Sequence, residues 1–510
     1  MFKDWKTPTY LSLLFFSSGC YMNKAIVQPW TEDYSPQAQS EYWTPTKKSL
    51  AIRPFIPLEK AVPTDSNEPL CLASVLDIAL NNSTLTQQSW AEARQAAAQY
   101  GQAQSTGLPQ LKGMYEFYRT RAASYSPSVS AGSSTTGAAT GNSSGTSSYG
   151  AQSTASIFIE LFNQWGPQFE LTYTLFDFGV NSATANAARQ ALYYANFTHN
   201  REIQTVLNTV TNDYYSALYA KQLLEAQLAN VETAKITLDA ANESFNLGVQ
   251  NLSDVLQART QLLQYEISYV EQKQQLVVST SQLLIDMGLP ANLTIHLMQM
   301  PDIHPEEQTI PDLEDLIAKA MQSRPDFLAA GANLRNQEMN LKVARREVLP
   351  SFVYTLDFGK TYFSGGSNDK YDYTSYFNFS MPLFQGYYYR NNIKSAEANL
   401  NIAEANLKQM ELELVQQITT SRYNIQVSFD ALKYSREYLK AAQEQYAVSL
   451  AEYKAGTTDI LTVVSAQSAL ANARATLAQN IQNWFTALAD LTYAMGAPTM
   501  PPTQLKEDFE

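Results

Sequence analysis

Phe245-Asn246-Leu247-Gly248 and Tyr453-Lys454-Ala455-Gly456 stand 208 residues apart, and each closes a stretch free of glycine and proline, Val180–Leu247 and Tyr387–Ala455. The same offset relates Met287-Gly288-Leu289-Pro290 to Met495-Gly496-Ala497-Pro498. Further upstream, Leu108-Pro109 returns as Leu349-Pro350 at an offset of 241. A fixed spacing of this kind is an internal duplication, and it decides the architecture. One long-helix unit occurs twice. At about 1.5 Å per residue, either stretch would form a helix roughly 100 Å long.

The two offsets differ by 33 residues, and Ser124–Ser156 accounts for the difference. This Ser/Gly/Thr/Ala tract lacks the apolar surface to offset its ordering entropy, so a loop is expected over 124–156. The second copy has only Ser364–Lys370 at the matching place. Beside these loops the apolar period changes to two. Phe352, Tyr354, Leu356 and Phe358 alternate with Ser351, Val353, Thr355 and Asp357. Tyr371, Tyr373, Phe377 and Phe379 alternate with Asp372, Thr374, Asn378 and Ser380, and Phe169, Leu171, Tyr173 and Leu175 with Gln168, Glu170, Thr172 and Thr174. Alternation gives each strand one apolar and one polar face, and aromatic-rich apolar faces suit lipid. A soluble hairpin is the plainer reading, but no segment supplies the layer that would cover it.

Four strands cannot close, and an open edge is not tolerated in lipid. Barrels of about eight strands are nearly filled by side chains, so a passage needs more; three chains giving four strands each would make about 12. The long helices carry narrow apolar seams: Ile393, Ala396, Leu400, Ala403, Leu407, Met410 and Leu414; then Leu461, Val464, Ser468, Ala471, Ala475 and Ala478; and in the first copy Leu256, Leu263, Val270, Val277 and Leu284. The rest of each helix is rich in Gln, Asn, Ser, Thr and Ala. Antiparallel coiled-coil pairs forming the wall of a water-filled tube satisfy both facts.

The expected organisation follows. Residues 1–19 read as a signal peptide, with Lys3 and Lys6 ahead of an apolar core. Cys20, after Ser17-Ser18-Gly19, resembles a lipobox cysteine that would carry a covalent lipid (palmitate) and sort to the outer membrane. An ordinary secretory signal with a coincidental cysteine is the alternative. A proline-rich strap, 20–69, precedes repeat 1 at 70–290, with a hairpin at 108–178 and helices at 180–247 and 252–287. A connector at 291–311 leads to repeat 2 at 312–498, with a hairpin at 350–384 and helices at 387–455 and 457–495. A tail occupies 499–510. The fold class is thus an α+β membrane protein of two tandem repeats, each with long antiparallel coiled-coil helices and a two-stranded hairpin.

The net charge of −13 argues against a nucleic-acid partner. His199, His296 and His304 are the only histidines, and none lies near a nucleophile motif or a metal-ligand set. No enzyme chemistry, metal site or cofactor is expected.

Arg324-Pro325-Asp326, Ala344-Arg345, Leu349-Pro350-Ser351, Met381-Pro382-Leu383-Phe384-Gln385-Gly386, Tyr453-Lys454-Ala455-Gly456 and Gly496 occur in that order. The set resembles the TolC-type outer-membrane factors, especially their OprM-like lipoprotein branch. That resemblance implies a homotrimer: a 12-stranded barrel in outer-membrane lipid, continued by a periplasmic tunnel of helices. It implies a passive exit duct for drugs and other toxic small molecules, served by a periplasmic adaptor and an inner-membrane RND-type pump or ABC transporter. It also places adaptor docking at the tip turns, around Phe245, Gly248, Tyr453 and Gly456. Aligned by motif, Leu461 keeps a hydrophobic gate position, whereas Thr462 and Ser465 stand where the family often has aspartates; Asp459 and Asp254 lie nearby. Leu461 is then the expected constriction. A duct for secreted polypeptide and a non-transport coiled-coil envelope protein remain as alternatives.

Overall fold

The computed structural model describes residues 69–127, 155–301, 311–363 and 371–497. The signal, Cys20, nearly all of the strap and the tail lie outside the described residues. Eight helices are seen among those described: α1 (Leu72–Asn82), α2 (Thr84–Ser105), α3 (Val180–Asn246), α4 (Leu252–Asp286), α5 (Leu313–Ser323), α6 (Pro325–Arg346), α7 (Tyr388–Lys454) and α8 (Ile460–Ala494). The five strands are β1 (Gln110–Pro127), β2 (Ala155–Phe176), β3 (Ser351–Lys360), β4 (Tyr362–Phe363) and β5 (Tyr371–Ser380). Helix lengths repeat to the residue: 11 and 22 for the short pairs, 67 and 35 for the long ones. All the length that distinguishes the copies therefore sits in the first hairpin.

Each repeat opens with two helices where one had been expected. The break falls at Ser83 in the first copy and Arg324 in the second, both held in extended backbone that a helix cannot continue through. Pro325 then starts α6, where its missing N–H costs nothing. Both long helices follow two consecutive left-handed residues, Phe178-Gly179 and Gly386-Tyr387. In the first copy Asp177 secures the turn, its Oδ1 accepting from the Gly179 N–H at 2.9 Å and its Oδ2 from that of Asn181 at 2.6 Å.

The strands form one antiparallel sheet in the order β1-β2-β3-β5, with β4 beside β2. Register places Tyr173, Tyr354 and Phe377 in one row and Phe169, Phe358 and Tyr373 in another. The Phe169 and Phe358 rings stack at 5.2 Å. One face is thus aromatic, while Gln168, Glu170, Thr172, Thr355, Asp357 and Thr374 line the other. The expected loop at 124–156 is shorter than composition suggested. The β1–β2 ladder continues through Ser124↔Phe158 to Pro127↔Ala155, since main-chain pairing does not require apolar side chains.

In the helical layer α3 is central: it packs on α4 and α8, with α2 and α6 covering its first half. α7 packs on α8 and α6, giving the lateral order α4-α3-α8-α7. Over its first turns the α8 seam is turned by one residue from its expected position, while Ala478 is buried as expected. Ile460, Val463, Gln467, Leu470 and Ala473 are buried, whereas Leu461 is exposed and Val464, Ser468, Ala471 and Ala475 are only half-buried. Asp459 ends the turn and caps α8, so the helix begins at Ile460 and not at 457. In α4 the expected seam proves exposed at Leu256, Leu263, Val270 and Val277, and Ala258, Tyr265 and Leu283 pack inward. No described helix is long and apolar enough to cross a membrane.

The α3–α4 contact holds one carboxyl whose pKa is raised, that of Asp213. Burial first, then hydrogen bonding and repulsion from the Asp286 carboxyl, pushes Asp213 up to about 7. The folded chain keeps this proton where the unfolded chain, with its ordinary value near 3.8, has lost it. Stability therefore falls as pH rises from about 4 to about 7 and is level above that. Asp213→Asn should remove this slope, raising the melting midpoint at pH 8 relative to the parent and leaving pH 4 little changed. Parallel midpoint–pH curves for the two proteins would refute the assignment.

Candidate functional site: the helical tip

Furthest from the sheet, the chain turns twice. Gly248, at φ 78°, ends the α3 side, and Gly456, at φ 74°, ends the α7 side. The backbone closes both turns in the same way: Val249 N–H donates to the Ser244 carbonyl at 3.0 Å, and Thr457 N–H to that of Glu452 at 3.0 Å. This six-to-one bond needs a left-handed residue, which glycine supplies without strain.

Tyr453 was expected on the docking surface. It is instead fully buried, in a cluster with Ala240, Ala241, Ala258, Ile460 and Val463. The alanines of α3 leave room for its ring, a packing signal that lies in the other repeat and 212 residues upstream at Ala241. Its hydroxyl points to Asp254 Oδ2 at 3.5 Å, a long contact. Burial and the neighbouring Asp254 carboxylate push the phenol up to about 12, so it remains a donor at any physiological pH.

Asp459 has a local task. Its Oδ1 accepts from the Thr462 N–H at 2.9 Å and from Thr462 Oγ1 at 2.8 Å, and these bonds hold its carboxyl below the usual range. Leu461 and Ser465 lie exposed on one stripe of α8, so they are neighbours; Thr462 shares that stripe with its hydroxyl committed to the cap. Asp254 stands apart, under Tyr453. The structure thus divides the predicted gate set into an exposed Leu461–Thr462–Ser465 stripe with Asp459 as its cap, and a half-buried Asp254 that faces the Tyr453 hydroxyl.

Higher up, α3 meets α7 and α8 through polar groups. Thr237 Oγ1 and the Tyr446 hydroxyl lie 3.1 Å apart, and Arg474 Nη1 donates to Asn230 Oδ1 at 2.6 Å. Gln467 is buried with neither amide atom bonded. Among the described residues no cluster of histidine, cysteine and acidic groups could hold a metal. His199 Nδ1 shares a hydrogen bond with Ser89 Oγ at 2.8 Å, away from the tip.

The two lateral edges of the helical layer, α4 and α7, both expose apolar seams. Leu256, Val270 and Val277 lie eight, 22 and 29 residues beyond Gly248; Val448, Tyr434 and Val427 lie the same distances before Gly456. The sheet likewise ends in two open strands, β1 and β5. All its pairings are antiparallel, so β5 of one copy and β1 of another meet in the matching sense. One chain is a strip with two complementary sides.

The family model described as "Outer membrane efflux protein" matches residues 75–285 and 316–497, one segment in each repeat. This chain belongs to that family. Among curated relatives of this efflux protein, Protein CyaE of Bordetella pertussis is 26% identical over 418 residues, 81% of each chain. Outer membrane protein TolC of Escherichia coli is 23% identical over 349 residues, covering 66% of this chain and 70% of its own. Nodulation protein T of Rhizobium leguminosarum bv. trifolii is 22% identical over 64% of this chain and 70% of its own. Among solved structures, the Campylobacter jejuni CmeC outer membrane channel superposes with a TM-score of 0.71 at 18% identity, covering 88% of this chain and 94% of that one. VceC of Vibrio cholerae gives 0.68 at 17% identity, over 84% and 96%.

Membership makes this efflux protein an outer-membrane channel that extends into the periplasm, the exit duct of a tripartite efflux system and not an enzyme. Family members are trimers that work with an adaptor and an inner-membrane pump.

Proposed function

We propose that three copies of this chain form a duct that carries small toxic molecules, received from a periplasmic adaptor and an RND-type or ABC inner-membrane pump, to the cell exterior. A lipid on Cys20 anchors the N-terminus in this reading. The observation that carries the assembly is the pair of matched edges: seams on α4 and α7 at equal heights, and sheet edges on β1 and β5. Neither could remain bare, the first in water and the second in lipid. Ring closure with a head-to-tail contact removes both.

The tip turns around Gly248 and Gly456 meet the adaptor. The gate lies on the α8 stripe, where Leu461 sets the constriction and Thr462 and Ser465 leave it uncharged. Asp254 and Asp459 act from behind, one under Tyr453 and one as the α8 cap. Purified protein in planar bilayers should give single-channel openings of a trimeric unit, with a small closed-state current. Leu461→Ala should raise that closed-state current several-fold; an unchanged current would move the constriction elsewhere. Protein that inserts but never conducts would overturn the duct itself.

A further inference from the structure

The sheet sorts its charges by face. Glu116, Glu160, Glu170, Asp357 and Asp372, the carboxylates of the described strands, all occupy register positions of the polar face. Lys112, opposite Glu170, shares that face, but Arg119 and Lys360 occupy positions of the aromatic one. Thr355 and Thr361, on the polar side, are each 6% exposed, whereas Phe169 and Phe358, on the aromatic side, are each 41% exposed. The sheet thus curls around its polar face and turns the aromatic face outward, to lipid. We propose that Arg119 and Lys360, set along the outer aromatic row, seat the phosphate groups of an outer-leaflet lipid. The proposal rests on the outer-membrane placement given above and not on the duct.

Height along the strands locates this row. The long helices leave the opposite end of the sheet, towards the periplasm, so the strand ends near Pro127 and Phe363 face the exterior. Phe352 and Phe379 pair near the periplasmic end, and Tyr362 stands ten residues beyond Phe352. At about 3.3 Å per residue and a tilt near 40°, that span rises roughly 25 Å, the height of an outer-membrane apolar band. Phe117, Trp165 and Tyr362 are therefore the outer girdle, and their rings stack across β1, β2 and β4 at 6.5 Å and 6.3 Å.

Arg119 is the next residue outward on this face of β1; it is exposed, and no described carboxylate pairs with it. Lys360 starts one row below the girdle and reaches up to it, its Nζ 5.0 Å from the Tyr362 ring centre and 5.6 Å from that of Tyr371. In a chain of net charge −13, a girdle bearing two cations and no carboxylate complements an anion. Guanidinium forks onto two phosphate oxygens, and ammonium adds a point charge. Below the girdle, the stacked Phe169 and Phe358 rings offer an apolar track for acyl chains. Phosphate above and hydrocarbon below are supplied together by a phosphorylated lipid and by no soluble anion.

The test uses full-length trimers in detergent, with lipopolysaccharide as the probe. It should raise the temperature at which trimers dissociate on semi-native gels by several degrees, whereas dephosphorylated lipopolysaccharide or inorganic phosphate should not. Arg119→Gln with Lys360→Gln should match the parent without lipid and lose most of the gain with it. As a second measurement, trimers purified from membranes should retain lipid phosphorus, and the single variant Arg119→Gln should retain less. Single-channel conductance should be unchanged in both variants, because neither residue faces the lumen, so the seat and the duct are read separately. Equal stabilisation of parent and double variant, or equal phosphorus retention in Arg119→Gln, would overturn the seat. A gain from inorganic phosphate or dephosphorylated lipid as large as from the intact one would overturn it too.

Discussion

Tyr453→Ala should open the tip, whereas Tyr453→Phe should change it little. The argument is one of magnitudes. The ring is fully buried among alanines and aliphatic side chains, and truncating a buried aromatic costs about 3–5 kcal/mol because a cavity is left behind. The hydroxyl contact to Asp254, at 3.5 Å, is long, and an ordinary net hydrogen bond contributes only about 1 kcal/mol. Packing therefore dominates the attachment of the α7–α8 turn to the α3–α4 turn. Closed-state conductance in bilayers should rise strongly in Tyr453→Ala and weakly in Tyr453→Phe. Equal effects of the two would show that the hydroxyl, not the ring, holds the turn.

The second large effect is expected at Arg324, which is 1% exposed at the α5–α6 break. Its guanidinium forks onto both Asp326 oxygens, and Nη1 also reaches Gln417 Oε1 at 2.9 Å and the Ala494 carbonyl at 3.2 Å. One side chain thus joins the start of α6, the side of α7 and the end of α8. Arg201 approaches Asp326 from α3 at 3.4 Å and stacks on Tyr493 at 3.6 Å, bringing the first repeat into the same cluster. Burial alone would raise Asp326, but the Arg324 hydrogen bonds and the two guanidinium charges outweigh it and hold the carboxyl below its usual range. Breaking such a buried pair from one side costs about 3–5 kcal/mol. Arg324→Met should lower the melting midpoint accordingly. Arg324→Lys should recover little of it, because an ammonium cannot make the planar fork. A Lys variant as stable as the parent would show that charge alone suffices.

How much of this was legible in the sequence depends on the kind of signal. Repetition was the strongest: the offsets located both tips and confined the unequal length to one hairpin. The alternating strands were legible because period two survives in Phe352–Phe358 and Tyr371–Phe379. The extension of β2 back to Ala155 was missed, although Ile157-Phe158-Ile159 is a strand-forming run, because the small-residue tract beside it dominated composition. The start of α8 was readable in principle from Asp459-Ile-Leu-Thr462, a cap pattern that sets where the helix begins. The burial of Tyr453 was not, since it depends on alanines in the other repeat. The exposed α4 seam looked like a core seam because its seven-residue spacing is that of one; in the trimeric reading proposed above, its partner helix belongs to the next copy.

β1 and β2 outrun their neighbours. β3 accompanies β2 only from Gln168 onward and β4 adds Gln164–Trp165, while β1 and β2 continue together to Pro127 and Ala155. About ten tilted residues suffice for a hydrocarbon layer, so the remaining rungs, at roughly 3.3 Å each, rise some 25 Å beyond it. A three-copy assembly carries three such ribbons, one per chain; among the described residues the second repeat has no strand pair of that length.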